Sequence, residues 1–258
     1  MAIRLLALDL DGTLLNSGGK ISERNRTAIE SARQNGVNVA VVTGRRFRDA
    51  RPVALDLGLD VPVIAHNGAL TKHARTLETV AVMPLPLEAA RKALRVGRKV
   101  GAGPLVSDDH EGLGVLVYDH FSGDNLALQE YIKWARRLHG EEEGRQAVRE
   151  VDSVEDYLDH EPIHLAFSGG CAQMKKLEEL LQEELGASVK IFSTIYPEMD
   201  FTLLDIVHPA ASKGAGVAAA AAQLADRNLT VEQHLCAGNS PADARIHRPP
   251  ASRGGWRC

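Results

Sequence analysis

Asp9 and Asp11 stand two residues apart at the end of the apolar run from Ile3 to Leu8, and Gly12 and Thr13 follow directly. Two carboxylates held this close repel one another, and the arrangement persists where a cation or a shared proton compensates. A divalent ion is the economical answer, because carboxylate and carbonyl oxygens suit Mg2+, which keeps several waters and shares a substrate phosphate. The Gly12-Thr13 turn exposes backbone N–H groups, which suits a phosphoryl group as well as the metal. Taken alone, DLDGT also reads as a strand closed by an Asp-Gly turn. Further polar groups follow later apolar runs: Thr43, Gly44 and Arg45 after the second, Asn67 and Gly68 after the third, Lys213 and Asp243 after two later ones. Lys213 opens an alanine-rich helix at the end where the helix dipole favours anions, so an anionic neighbour explains it better than the helix does. Thr43 as a β-branched strand end, Arg45 as a solvated arginine and Asn67 as a turn residue stay open as alternatives.

These groups need elements that bring them together. The stretches Ile3 to Leu8, Val37 to Thr43 and Val61 to Gly68 are nearly continuous in Val, Ile, Leu and Ala, the pattern of strands covered on both faces of a parallel sheet. Between the first two lies SERNRTAIESARQNG, with Ser22 as N-cap and Gly36 as the stop. Between the second and third, Arg46 to Leu57 carries helical spacing and ends at Gly58. The order strand, helix, strand, helix, strand predicts an α/β fold with a doubly wound, Rossmann-like parallel sheet. Ligands of such sheets collect at the carboxyl ends of the strands, so the polar endings are expected to converge on one crevice.

After Met83 strand-like and helical pieces follow in less regular order, and residues 84–198 are expected to form an inserted α+β cap domain. The core domain is then split into residues 1–83 and 199–243, with FTLLDIVHP as its returning strand, and residues 244–258 form a basic tail. With 44% hydrophobic residues the chain has material for a real core. Thirty basic residues against thirty-four acidic ones give a charge of -4, which argues against a nucleic-acid partner. No apolar run reaches membrane-spanning length, and the opening MAIRLLALDLDG is interrupted too early by Asp9 to act as a signal peptide. The three cysteines form no CxxC pair. A cytoplasmic protein is expected; no feature specifies an oligomeric state.

Together DLDGT, VVTGR, NGA, SKG and GNSPAD resemble, in order and spacing, the motifs of the haloacid dehalogenase (HAD) superfamily of phosphatases. The insertion between NGA and SKG is similar to the Cof-type, type IIB cap, and the resemblance covers residues 1–243. It implies an Mg2+-dependent phosphatase for small phosphorylated metabolites, with sugar phosphates the expected class. Asp9 would be the nucleophile that becomes an aspartyl-phosphate, and Asp11 the acid for the leaving alcohol and then the base for water. Thr43 and the N–H of Gly44 would hold phosphoryl oxygens, and Lys213 would neutralise charge on Asp9 and the phosphate. Gly12, Arg45, Asn67 and Gly68 would line the substrate side. Asp9, Asp11, Asn239 and Asp243 would serve the metal. A phosphomutase or phosphotransferase uses the same core with a different acceptor.

Two departures carry weight. The fourth family motif normally reads GDxxxD, whereas this chain reads Gly238-Asn239-Ser240-Pro241-Ala242-Asp243. An amide at Asn239 still offers an oxygen but removes one negative charge, so weaker Mg2+ binding is expected. From Ala244 onward the chain has four arginines, Pro249-Pro250, Gly254-Gly255 and no acidic residue, which cannot pack as a sheet-flanking helix. A truncated or frame-shifted end is the expected explanation, with a basic arm for RNA or an acidic partner as the other. These departures support a second functional reading, a catalytically impaired relative that binds phosphorylated ligands without efficient turnover.

Overall fold

The computed structural model describes residues 3–119, 126–225 and 234–237, and divides the chain into two compact units, Met1–Val82 with Ala211–Cys258 and Met83–Ala210. In the first unit β1 (Leu5–Asp9), β2 (Asn38–Val42), β3 (Val63–Ala65), β4 (Leu70–Lys72), β5 (Thr79–Val82) and β12 (His234–Ala237) form one sheet in the order β12-β1-β2-β3-β4-β5. The β12-β1-β2-β3 portion is parallel, and β4 and β5 add an antiparallel edge. The helices α1 (Glu23–Gln34), α2 (Phe47–Asp56) and α8 (Lys213–Ala225) complete this unit.

Local chemistry explains the boundaries. Ser22 caps α1, its hydroxyl accepting the N–H of Asn25, and Gly36 leaves the helix with φ 78°. Leu5, Ala7, Ala40, Val42, Val61 and Ile64 from the sheet side pack with Val217, Ala220, Ala221 and Leu224 of α8. The small residues of α8 permit close approach: a Cβ on Gly216 would lie 2.3 Å from Ile64 Cγ2.

The second unit contains α3 (Leu87–Lys99), β6 (Pro104–Asp108), β7 (Val115–Tyr118), α4 (Leu126–His139), α5 (Glu141–Gln146) and β8 (Val148–Glu150). It continues with α6 (Val154–Tyr157), β9 (His164–Gly169), α7 (Cys171–Leu185), β10 (Lys190–Tyr196) and β11 (Phe201–Val207). Its sheet runs β10-β11-β9-β6-β7-β8. Ala90, Leu94, Leu177 and Leu181 of α3 and α7 join Val106, Leu165, Phe167, Leu204 and Ile206 in one apolar cluster. The core boundary expected at residue 199 is therefore corrected. FTLLDIVHP pairs antiparallel with β10 and β9 rather than returning to the first sheet. Only four residues, Pro197 to Asp200, separate it from β10, and a connection that short forces antiparallel neighbours. An apolar strand reads alike in either sheet, so its composition alone did not assign it.

Arg98 of α3 ties this unit together. Its guanidinium donates to Asp119, fully buried, and to both oxygens of Glu155 at 2.8 and 2.9 Å. Asp119 also accepts the N–H of Val154 at 3.1 Å. Arg98→Met is expected to strand the Asp119 charge and to cost about 3 kcal/mol, read from denaturant unfolding. A loss under about 1 kcal/mol would show the contact to behave as a surface ion pair.

His160 bridges two carboxylates, Nδ1 to Asp159 Oδ1 at 2.6 Å and Nε2 to Asp108 Oδ2 at 2.5 Å, while the Tyr157 hydroxyl donates to the same Asp108 oxygen at 2.6 Å. Asp159 first and Asp108 second hold the imidazole pKa above its ordinary 6.5. Burial pushes the Asp108 carboxyl up, but the donors Tyr157 and His160 outweigh it and hold it below the ordinary value. A folded pKa above the unfolded one stabilises fully below about pH 6.5, and the contribution is lost as pH rises through the folded value. The thermal midpoint is therefore expected to fall between about pH 6 and about pH 9 by more in the wild type than in His160→Asn. Parallel curves would remove His160 from the pH dependence.

Among the described residues, no helix is long and apolar enough to cross a membrane.

Candidate active site

The carboxyl ends of β1, β2 and β3 and the start of α8 lie together in the first unit. Asp9, the last residue of β1, is 5% exposed, and Lys213, the first of α8, is also 5% exposed. Lys213 Nζ donates to Asp9 Oδ1 at 3.0 Å. The anionic neighbour that the position of Lys213 called for is therefore Asp9 itself.

Glycine makes the approach possible. Gly68 has φ 92°, and a Cβ there would sit 1.9 Å from the carbonyl oxygen of Ser212. Ser212 in turn accepts the N–H of Ala215 at 3.0 Å through its hydroxyl, which opens α8 immediately before Lys213. The loop after β3 and the first turn of α8 are thus in backbone contact, and this places the ammonium beside β1.

The loop after β2 is bound to the loop after β3. The N–H of Asn67 donates to the carbonyl of Thr43 at 3.1 Å, and the N–H of His66 donates to that of Arg45 at 2.9 Å. Gly44 leaves room for the Asn67 side chain, whose Oδ1 would lie 3.0 Å from a Cβ at that position. Thr43 is buried, and its hydroxyl oxygen accepts the N–H of Arg45 at 3.1 Å. A hydroxyl that accepts there still has its own hydrogen to donate. Gly12 has φ 71°, and Leu14 and Leu15 close the turn by donating to the carbonyls of Asp9 and Leu10 at 3.1 and 2.8 Å.

Arg45 takes a place that the sequence left open. Its Nε and Nη2 donate to the two oxygens of Asp11 at 2.8 and 2.6 Å, a bidentate pair rather than a solvated guanidinium. Burial works against the charge on Arg45, but the hydrogen bonds to Asp11 and the charge of that carboxylate outweigh it and raise the guanidinium pKa.

His66 is a residue the sequence reading missed. It is buried, has φ 50°, and its Nε2 accepts the N–H of Phe47 at 3.2 Å. Asn67 and Gly68 continue the left-handed run at 55° and 92°. The available signal was the dipeptide NG, which marks a tight turn and points to the residue before it.

For a metal, Asp9 and Asp11 supply hard oxygen donors at one strand end, and Mg2+ is commonly held by one or two carboxylates with waters and a substrate phosphate. Among the described residues no group of three or more His, Cys, Asp or Glu side chains gathers as a metal site, and two carboxylates fit Mg2+ rather than a closed cage. Asn239 and Asp243 lie outside the described residues, as does the tail from Ala244.

The chain is similar to several known proteins. The chain is 46% identical over 69 residues to stress response protein YhaX of Bacillus subtilis, a match covering 27% of this chain and 24% of that protein. It is 31% identical over 144 residues to pyridoxal phosphate phosphatase YbhA of Escherichia coli, covering 55% of this chain and 50% of the other. The matched segments thus span from about a quarter to half of the length of these relatives. The solved structure of the HAD subclass IIB sugar phosphatase BT4131 superimposes with a TM-score of 0.69 at 17% identity, over 93% of this chain and 82% of that one, a likeness of fold. The sequence pattern of haloacid dehalogenase-like hydrolases matches residues 6–246, so the chain belongs to that family.

Proposed function

We propose that the protein is a cytoplasmic, Mg2+-dependent phosphatase that hydrolyses small phosphomonoesters, sugar phosphates above all, through an aspartyl-phosphate on Asp9. The observation that carries this reading is the buried Asp9 carboxylate fixed by Lys213 at 3.0 Å beside the Thr43 loop. A carboxylate held in one orientation by a cation is a preorganised nucleophile, and Lys213 also offsets the charge of an incoming phosphate.

In the first step an Asp9 oxygen bonds to phosphorus as the bond from phosphorus to the ester oxygen breaks. The leaving alkoxide takes a proton from Asp11. In the second step water attacks the phosphorus of the aspartyl-phosphate, gives a proton to Asp11, and releases phosphate with Asp9 regenerated. The Thr43 hydroxyl, the Gly44 N–H and the Asn67 amide are the donors for the phosphoryl oxygens. Mg2+ held by the Asp9 carboxylate and the backbone carbonyl of Asp11, with Asn239 and Asp243 of the fourth motif, would supply neutralisation of the phosphate charge and leave the Asp11 carboxyl for proton transfer.

A second reading rests on Asp11. Its carboxylate is engaged at both oxygens by Arg45, and proton transfer requires that this contact be exchanged. An impaired relative that binds phosphorylated ligands without efficient turnover would keep the pair closed. Release of inorganic phosphate from p-nitrophenyl phosphate and from a panel of sugar phosphates in Mg2+ separates the two. Turnover supports the phosphatase; ligand binding without turnover supports the second reading. Phosphate appearing on an added sugar acceptor instead of in solution would mark a phosphotransferase.

A further inference from the structure

The N-terminus of α2 has no side-chain cap of its own, because Arg46 at that position makes no capping hydrogen bond. First-turn N–H groups have no partner inside a helix, and a buried one left unpaired destabilises the fold. Here the first of them, on Phe47, donates to Nε2 of His66, nineteen residues along the chain. His66 reaches it from a left-handed conformation, φ 50°, that a histidine adopts at a cost. The same residue donates its own N–H to Arg45, and the next, Asn67, donates to Thr43. These hydrogen bonds between the loop after β2 and the loop after β3 therefore run through His66 and its neighbour.

We infer that His66 is a positioning residue: by capping α2 from the neighbouring loop it fixes where Thr43, Gly44 and Asn67 stand relative to one another, and so sets the grip on the phosphoryl group. This rests on the reading of the site as phosphate-binding. Its Nε2 accepts, so the ring is neutral with the proton on Nδ1. The residue touches no reacting atom in this scheme. Its effect travels through the backbone, where displacements of about an ångström are enough to lower the rate substantially.

Three substitutions separate the side chain from the backbone conformation. Gly and Asn both tolerate positive φ. His66→Gly removes the acceptor, His66→Asn shortens its reach, and His66→Gln keeps a longer one. For each protein the measurements are amide exchange at Phe47, the dissociation constant of inorganic phosphate in Mg2+, kcat and KM for p-nitrophenyl phosphate, and the thermal midpoint. His66→Gly and His66→Asn are expected to speed exchange at Phe47, to weaken phosphate binding and to lower kcat/KM by about tenfold to a hundredfold while remaining folded. His66→Gln is expected to recover part of both. Wild-type phosphate affinity and kcat/KM in His66→Gly overturn the inference, and so does a Gln variant no better than the Gly one. A wild type that hydrolyses no phosphomonoester sinks the proposed reaction, yet the phosphate dissociation constants still decide the role of His66. A wild type that binds no inorganic phosphate overturns both.

Discussion

Asp9→Asn is expected to lower phosphate release from p-nitrophenyl phosphate by about 10^4-fold or more, because the amide that replaces the carboxylate cannot form the acyl-phosphate. The substitution is close to isosteric, so the shape of the β1 terminus is kept. Its charge is not. Asp9 and Lys213 are both buried, and removing one member of a buried pair leaves the other uncompensated, typically at a cost of about 3–5 kcal/mol. For a chain of this size about 1 kcal/mol corresponds to roughly 2–4 °C in thermal midpoint, so the variant is expected to melt roughly 10 °C lower. Activity is therefore to be compared at a temperature where both proteins remain folded. Retention of more than about a hundredth of wild-type turnover by a folded Asp9→Asn protein would rule out Asp9 as the nucleophile.

Lys213→Met removes the other half of the pair and separates its two roles. Turnover is expected to fall by about 10^2 to 10^3, the size associated with losing one preorganised electrostatic group. The thermal midpoint is expected to fall as it does for Asp9→Asn. The double variant Asp9→Asn with Lys213→Met is the informative one, since replacing a buried ion pair by neutral side chains of similar volume is often close to neutral. It is expected to melt above either single variant while remaining inactive. Additive losses would mean that the 3.0 Å contact carries no coupling energy, and that Lys213 acts on the substrate alone.

Much of the first unit is legible in the sequence because its signals are local. Strands β1, β2 and β3 are continuous apolar runs, Ser22 is a capping residue where a cap is needed, and the polar endings of these strands mark the ligand side. The dipole makes a lysine at a helix start anomalous and calls for an anionic neighbour, and the family resemblance names that neighbour as Asp9. Other features depend on tertiary partners. Phe201–Val207 has the same apolar texture whichever sheet receives it, and its four-residue connection to β10 decides the matter. The strands β4 and β5 are only three and four residues long, too short for periodicity to register. Arg45 and Asp11 are 34 residues apart, and no spacing rule joins them. His66 was hidden for a different reason: its contribution depends on a left-handed backbone that brings an imidazole nitrogen to a distant helix end, and composition does not report backbone handedness.

The Asp9–Lys213 contact spans 204 residues of chain. Loop-closure entropy grows slowly with such a span, but synthesis delivers the N-terminal segments first. Until residue 213 leaves the ribosome, a nascent chain holds Asp9 without this ammonium and Gly68 without the Ser212 carbonyl that packs on it. The closing of α8 onto the sheet is therefore also the moment at which the site acquires its charge balance. Assembly of this end of the sheet is thus coupled in time to completion of the first unit, and an arrested chain ending before Lys213 carries Asp9 but not the cation that fixes it.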